Sequence, residues 1–187
     1  MNSYDFDKTI FNPDSSVLFA VYSAIHHPIC YLRAFPKLFC NIIKYLAKKI
    51  DFKELKESSF GFLMHLKDID ADVNRFWDKR FCRIESWYLK QKKDDDIIIS
   101  ASPEFLLKPV AEKLGVRLIA TRMDKHTGKI TGLNCHDEEK VRRLHELYPD
   151  AEVENFYSDS LADTPMAMLA KKAFIVNKDV LKPWPNK

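Results

Sequence analysis

The chain has 187 residues, which is enough for one sizeable hydrophobic core or for a core with a smaller appendage. Hydrophobic residues make up 46% of it and glycine occurs only four times, as is typical of helix-rich globular proteins. The formal net charge is +3, and basic residues are interspersed with acidic ones along most of the chain. We therefore predict that nucleic acid is not a partner of this protein.

The four cysteines show neither a Cys-x-x-Cys spacing nor a zinc-like spacing to histidine. We expect free thiols, with Cys30, Cys40 and Cys82 filling hydrophobic cores. An acidic pair begins at the fifth residue, so we expect no signal peptide, and no apolar run is long enough to predict a membrane-spanning helix. Free thiols without a targeting signal predict a cytoplasmic location.

A short first strand is predicted over residues 2–6, and it ends in two carboxylates, Asp5 and Asp7. Residues i and i+2 of a strand point to the same side, so we expect these two carboxylates to converge. Like charges that close repel each other unless a cation or a shared proton intervenes. Taken alone, the pair indicates either a solvated turn or a cation site, and Thr9 follows two residues later.

Helical periodicity dominates from about residue 16 to residue 93, where apolar stripes predict about four helices and no clear strand. Asp14, or one of the two serines after it, is expected to cap the first of these helices. We therefore assign residues 14–93 to an inserted all-helical cap. Residues 1–13 and 94–187 then form the core that the cap interrupts.

Strands and helices alternate after Asp94. The apolar run Ile97–Ile99 before Ser100 is typical of a buried parallel strand, and Ser102 is expected to cap the helix that follows it. Further strands are predicted over residues 116–120, 153–157 and 174–176, and helices over residues 137–147 and 163–171. Such alternation predicts an α/β fold, a Rossmann-like doubly wound parallel sheet that the first strand joins.

Chemically suggestive residues fall at predicted strand ends, where open α/β sheets bind ligands. They are Asp5-Phe6-Asp7-Lys8-Thr9, Ile97-Ile98-Ile99-Ser100, Lys140, and Asp159 with Asp163. In this order they resemble the four motifs of the haloacid-dehalogenase-like superfamily of aspartyl phosphatases, and most of all its phosphoserine-phosphatase-like branch with a helical cap.

The resemblance implies a Mg²⁺-dependent phosphomonoester phosphatase that acts through an aspartyl-phosphate intermediate. Asp5 would be the nucleophile, and Asp7 would act as general acid and then as general base. Mg²⁺ would be held by Asp5, the main-chain carbonyl of Asp7 and Asp159. Thr9 would orient the turn that follows the first strand.

The resemblance also implies that Ser100 and Lys140 bind the phosphate and that Asp163 supports the metal site. Each of these residues also has a simpler interpretation. Ser100 could cap the next helix, Lys140 could be a solvated lysine, and Asp163 could cap the helix that contains Pro165.

Asp14 stands near the position at which phosphoserine phosphatases carry an acid that contacts the substrate amine, so it is the candidate for substrate specificity. The expected partner is a small-molecule phosphate monoester. Three other functions stay open: a lipid-phosphate phosphatase, a phosphotransferase or mutase, and a catalytically silent phosphate-binding regulator.

The predicted cap is apolar and basic between Ile25 and Lys56, a stretch that contains seven lysines and arginines but only two acids. One interpretation is ordinary helix packing with solvated lysines. The other is peripheral contact with a membrane through this part of the cap.

Overall fold

The computed structural model describes residues 1–185, so residues 186 and 187 of the predicted core lie outside the described residues. Its strands are β1 (Asn2–Tyr4), β2 (Ile97–Pro103), β3 (Arg117–Thr121), β4 (Asn155–Ser158), β5 (Lys172–Asn177) and β6 (Val180–Pro183). They form one six-stranded sheet in the order β3-β2-β1-β4-β5-β6. Every neighbouring pair is parallel except β5 and β6, which confirms the predicted α/β class.

Five α-helices of the described chain lie between β1 and β2, and three follow β2. They are α1 (Ser15–His26), α2 (Pro28–Leu46), α3 (Phe52–Ser59), α4 (Ile69–Arg80), α5 (Ser86–Gln91), α6 (Glu104–Leu114), α7 (Glu138–Leu147) and α8 (Thr164–Leu169). Single 3₁₀ turns span Gly61–His65, Phe81–Arg83 and Leu161–Asp163. The division into a core and a cap stays a prediction.

Hydrophobic residues cover both faces of the central sheet. Ile98 belongs to one buried cluster, which also contains Tyr4 of β1 and Phe76 of α4. Its neighbours Ile97 and Ile99 belong to a second cluster on the opposite face. A strand buried on both faces needs apolar residues at every position, which explains the unbroken isoleucine run.

The carboxyl ends of β1 and β2 differ from the prediction by two residues or more. β1 ends at Tyr4, two residues earlier than expected, and β2 continues to Pro103, with a shift in its pairing with β3 after Ser100. The backbone at Ser102 therefore remains extended, and α6 begins only at Glu104. Its N-cap residue is Pro103, whose ring offers no hydrogen-bond acceptor, so the prediction that Ser102 caps this helix is wrong.

The edge strand β6 was not predicted, because Val180–Pro183 is short and contains proline. It pairs antiparallel with β5, and this brings Trp184 against Phe156 with ring centroids 5.9 Å apart. The Trp184 side chain is buried. The C-terminal segment up to Pro185 thus docks on the sheet.

Helix α2 lies on the surface, and this changes the environment of two cysteines. Cys40 is exposed and Cys30 is partly exposed, so the prediction that they fill hydrophobic cores is wrong, as it is for exposed Cys82. Cys135 is the buried one, and all four are free thiols as expected. Within residues 1–185, none of the helices is both long and apolar enough to cross a membrane.

Candidate active site

Lys140 is the buried centre of the site. It lies in the first turn of α7, whose inward face is unusually polar, and its Nζ donates hydrogen bonds to Asp5 Oδ1 at 2.7 Å and to Asp163 Oδ2 at 2.8 Å. Burial by itself would lower the pKa of Lys140, but the two carboxylates raise it above its ordinary value, so the ammonium stays charged. The alternative that Lys140 is a solvated lysine is wrong, since only 2% of its side chain is exposed.

Asp5 comes directly after β1 and is fixed by the neighbouring strand. Its backbone N–H donates to the carbonyl of Tyr157 in β4 at 2.9 Å, which continues the ladder between the two strands. Burial raises the pKa of the Asp5 carboxyl, while the nearby Lys140 ammonium acts in the opposite direction. One carboxylate oxygen of Asp5 thus binds Lys140, at the carboxyl edge of the sheet.

Asp7 lies beyond the end of β1, in a turn where Lys8 adopts a positive φ of 58°. Its Oδ1 accepts from the backbone N–H of Ser15 at 2.6 Å, at the positive end of α1, and its Oδ2 accepts from the Ser102 hydroxyl. The pKa of Asp7 is raised to about 6, mainly by burial and to a smaller extent by repulsion from Asp14. Asp5 and Asp7 both lie past the end of β1, so strand alternation does not place them, and their carboxylates bind different partners, although Asp7 still raises the pKa of Asp5.

Thr9 links the loop after β1 to the loop after β4. Its buried hydroxyl accepts a hydrogen bond from the backbone N–H of Asp159 at 3.0 Å. Asp159 itself is partly buried, and burial raises the pKa of its carboxyl while Lys8 lowers it. The two segments that were expected to supply metal ligands are therefore held side by side.

Asp163 ends the 3₁₀ turn after β4 and is buried. Besides Lys140, its Oδ2 accepts from the Ser158 hydroxyl at 2.6 Å. Asp163 occupies the N-cap position of α8, yet its side chain makes no capping hydrogen bond within the described chain. The alternative that it serves as a helix cap is therefore wrong, and its carboxylate instead positions Lys140.

Ser100 is buried at the point where the pairing of β2 shifts, and its hydroxyl oxygen accepts from the backbone N–H of Ser102 at 3.1 Å. It does not cap α6, whose N-cap residue is Pro103. Ser102 is a site residue that the sequence analysis missed, since its hydroxyl donates to Asp7 and also lies 2.8 Å from the Ser16 hydroxyl. The recurrence of serine two residues after Ser100 was the available signal.

Lys56 of α3 is a second residue that the sequence analysis did not assign to the site. Its Nζ donates to the Ala101 carbonyl and to Asn134 Oδ1, both at 2.6 Å. Burial lowers the pKa of Lys56 to about 8, although Asp14 and Asp7 attract the ammonium. No local signal could have singled it out, because it sits in a helix of ordinary alternating lysines and glutamates.

Asp14 caps α1, because its Oδ1 accepts from the Val17 backbone N–H at 2.9 Å. This confirms the expected capping, with Asp14 rather than a serine as the cap. Asp14 is also close enough to Asp7 to raise the pKa of that carboxyl. Its role in specificity stays a prediction.

The residues expected to hold Mg²⁺ supply oxygen ligands only. No group of three or more His, Cys, Asp or Glu side chains in residues 1–185 could hold a metal ion by itself. Mg²⁺, however, is commonly bound through one or two carboxylates, with water and substrate phosphate completing its shell. Burial raises the pKa of both Asp5 and Asp159 because it disfavours the charged carboxylates, and a divalent cation beside them would stabilise the charged form. The residues present therefore fit the ion.

The family model of the haloacid dehalogenase-like hydrolases matches residues 3–168, which is most of the chain. The chain belongs to this family.

One curated relative in the wider comparison is a probable phosphatase of Mycobacterium tuberculosis, 38% identical over 94 residues. That stretch covers 46% of this chain and 32% of the relative, so the chain spans about a third of that protein. A histidinol-phosphatase of Neisseria meningitidis is 29% identical over 99 residues, which cover 46% of this chain and 45% of the relative.

Among solved structures, a protein of unknown function from Bordetella pertussis matches with a TM-score of 0.73 at 21% identity, covering 92% of this chain and 87% of the other. A phosphoserine phosphatase solved as a phospho-aspartyl intermediate analogue matches with a TM-score of 0.56 at 19% identity, covering 91% and 83%. At such low identity these two structures show that the fold is shared and nothing finer.

Proposed function

We propose that this member of the haloacid dehalogenase-like hydrolases is a Mg²⁺-dependent phosphatase of small-molecule phosphate monoesters. The observation that carries the proposal is the buried ion triad in which Lys140 bridges Asp5 and Asp163. Desolvating one ammonium and two carboxylates is costly, and such groups are concentrated at functional sites. The names of the relatives, which are phosphatases, support the same reaction class.

The first chemical step follows from the position of Asp5. A carboxylate oxygen of Asp5 attacks phosphorus, and the bond between phosphorus and the leaving oxygen breaks to give an aspartyl-phosphate. Asp7 donates its proton to the leaving oxygen, so that the alcohol departs neutral. The Ser102 hydroxyl and the Ser15 N–H hold the Asp7 carboxyl in one orientation for this transfer.

The second step regenerates Asp5. The Asp7 carboxylate accepts a proton from a water molecule as that water attacks phosphorus, which releases inorganic phosphate and the free Asp5 carboxylate. Lys140 and the Ser100 hydroxyl stabilise the negative charge on the phosphoryl oxygens during both steps. Lys140 is well suited to this, because its ammonium is buried and already oriented.

The metal would be held by the Asp5 carboxylate, the Asp7 carbonyl and the Asp159 carboxylate, and it would offset the charge between the nucleophile and the phosphate. The hydrogen bond between Thr9 and Asp159 keeps these segments together. Asp163 orients Lys140, and Asp14 remains the candidate for recognition of the rest of the substrate. A cytoplasmic location stays a prediction.

Hydrolysis of p-nitrophenyl phosphate with and without Mg²⁺ tests the proposal. We expect Mg²⁺-dependent turnover that Asp5→Asn abolishes, because an amide cannot act as the nucleophile. Asp150→Asn makes the same chemical change at an exposed position and should leave turnover unchanged. Full activity of the Asp5→Asn protein would refute the mechanism, and phosphate binding without any turnover would favour a silent regulator.

The acceptor can be tested in the same assay. Added alcohols or sugars compete with water for the aspartyl-phosphate. If the protein is a phosphatase, the amount of inorganic phosphate released should equal the amount of p-nitrophenol released even when alcohols or sugars are present. A shortfall in phosphate, matched by a phosphorylated alcohol, would identify a phosphotransferase.

A further inference from the structure

Most residues of helix α2 are apolar, yet many of their side chains are exposed to solvent. The structure describes all 19 of its residues, and none of them is buried. Leu32 and Leu46 are 69% and 76% exposed. At 3.6 residues per turn, the apolar residues of α2 whose side chains are more than half exposed fall on one side of the helix, here named the α2 apolar face: Ile29, Leu32, Phe39, Ile43 and Leu46.

Helix α1 contacts α2 and adds to this surface. Its exposed apolar residues lie four positions apart, on one side of the helix: Val17, Val21 and Ile25. Isolated exposed apolar residues are ordinary on soluble proteins, but a set that recurs along one side of each of two contacting helices marks an interaction surface.

The charged side chains of α1 and α2 themselves are all basic, and two acids of α3, Glu54 and Glu57, share a cleft with Arg33 and Lys37. Arg33, Lys37 and Lys44 are exposed on one narrow arc of α2 that borders the apolar face, and Lys48 and Lys49 follow directly after the helix. The chain contains 27 acidic residues, yet none occurs between Asp14 and Asp51. An apolar face bordered by lysine and arginine matches the interface of an anionic bilayer, where apolar groups enter the acyl boundary and basic groups meet the headgroups.

We propose that the surface formed by α1 and the α2 apolar face binds a bilayer that contains anionic phospholipids, with α2 parallel to the membrane plane. A second copy of the chain fits less well, because a two-fold interface through α2 would bring two basic arcs together. The surface begins close to the site, since Val17 lies two residues after Ser15, whose N–H binds Asp7. Binding of this surface to a bilayer does not require turnover, so it can be measured independently of phosphatase activity.

Co-sedimentation of the full chain with vesicles tests it. One set contains phosphatidylcholine alone, and the other contains phosphatidylcholine mixed with phosphatidylglycerol. We expect binding to the mixed vesicles that weakens as salt is raised. Lys37→Gln and Lys44→Gln should each lower the partition coefficient about fivefold, and Leu32→Gln about tenfold.

Matched controls make comparable chemical changes at exposed positions elsewhere. Lys172→Gln on β5 repeats the lysine change, Val180→Gln on β6 replaces another exposed aliphatic side chain by glutamine, and both should leave vesicle binding unchanged. Thermal unfolding of each variant checks that the fold is intact. The Asp5→Asn protein should bind vesicles like the parent, which separates this proposal from the proposed phosphatase activity.

Three outcomes would overturn the proposal. These are no binding to either set of vesicles, equal binding to both sets at every salt concentration, and equal losses in the control variants. A dimer in sedimentation velocity that Leu32→Gln dissociates, without any vesicle binding, would assign the surface to self-association instead.

Discussion

Replacing Lys140 by methionine should both destabilise the fold and remove activity. Methionine fills a similar volume without a charge, so the change isolates the ammonium. The Asp5 and Asp163 side chains are 12% and 4% exposed, and they would be left as buried carboxylates without their shared cation. Breaking a buried pair in this way costs about 3–5 kcal/mol of unfolding free energy.

For a chain of this length each kcal/mol lowers Tm by about 2–4 °C, so the loss predicts a decrease of roughly 6–20 °C. The measurement is thermal unfolding followed by circular dichroism in the presence of EDTA, so that a divalent cation cannot offset the exposed carboxylate charge. Activity with Mg²⁺ should decrease about 10²–10³-fold, as for the loss of one charge-stabilising group in other active sites.

The control is Lys108→Met on α6. The side chain of Lys108 is 67% exposed, and its Nζ lies 4.0 Å from Glu112 Oε1. Its loss should therefore change the free energy of unfolding by no more than about 0.5 kcal/mol. A second test adds Asp163→Asn to Lys140→Met, which removes one of the two uncompensated charges and should restore part of the lost Tm. Unchanged Tm and activity in Lys140→Met, or no recovery in the double variant, would refute the triad.

Two further predictions concern packing and side-chain burial. Gly128→Ala would place a Cβ 2.8 Å from the Phe60 carbonyl oxygen at a φ of +72°, whereas Gly132→Ala has a φ of +83° with nothing within 4 Å. Gly132→Ala should therefore lower the free energy of unfolding in urea only by the cost of a positive φ, about 1–2 kcal/mol. Gly128→Ala should lower it by about 1–3 kcal/mol more, because of the close contact. Equal losses in the two variants would contradict a close contact at Phe60. In maleimide labelling at neutral pH, exposed Cys40 should react rapidly, while Cys135, whose pKa burial raises to about 11, should react only after unfolding. Peptide mapping by mass spectrometry distinguishes the two, and similar labelling rates in the native protein would contradict the buried position.

Local patterns were sufficient for five of the six strands and for the segments that bring the candidate site residues to the sheet edge. An isoleucine run that ends in Ser100 indicates a buried strand, and an acid directly after the apolar strand β4 is typical of a residue that faces a ligand at the sheet edge. Because parallel strands place their carboxyl ends at one edge of the sheet, the order of motifs also predicted which residues meet. The contact between Asp5 and Lys140 joins residues 135 positions apart, and it follows from that topology.

Contacts that depend on the packing of the helical insertion could not be predicted in the same way. Lys56 reaches Asn134 across 78 positions, and nothing in its neighbouring sequence distinguishes it from the solvated lysines around it. The prediction for the cysteines was wrong for a related reason. Cys40 sits in an apolar helix, which normally indicates burial, but α2 lies on the outside of the molecule, and only the tertiary arrangement shows this.

The polar residue at the start of β1 is unusual for a central strand, and its neighbours explain it. The side-chain oxygen of Asn2 accepts from Asn155 Nδ2 at 2.8 Å, and these residues lie opposite each other in the parallel pairing of β1 with β4. Tyr4 likewise stacks on its opposite residue, Tyr157, with ring centroids 4.8 Å apart. Because a slip of one residue would turn every side chain of a strand to the other face, these matched pairs fix the register of β1. The register in turn fixes Asp5, one residue past Tyr4, so the polarity of the strand helps to place the proposed nucleophile.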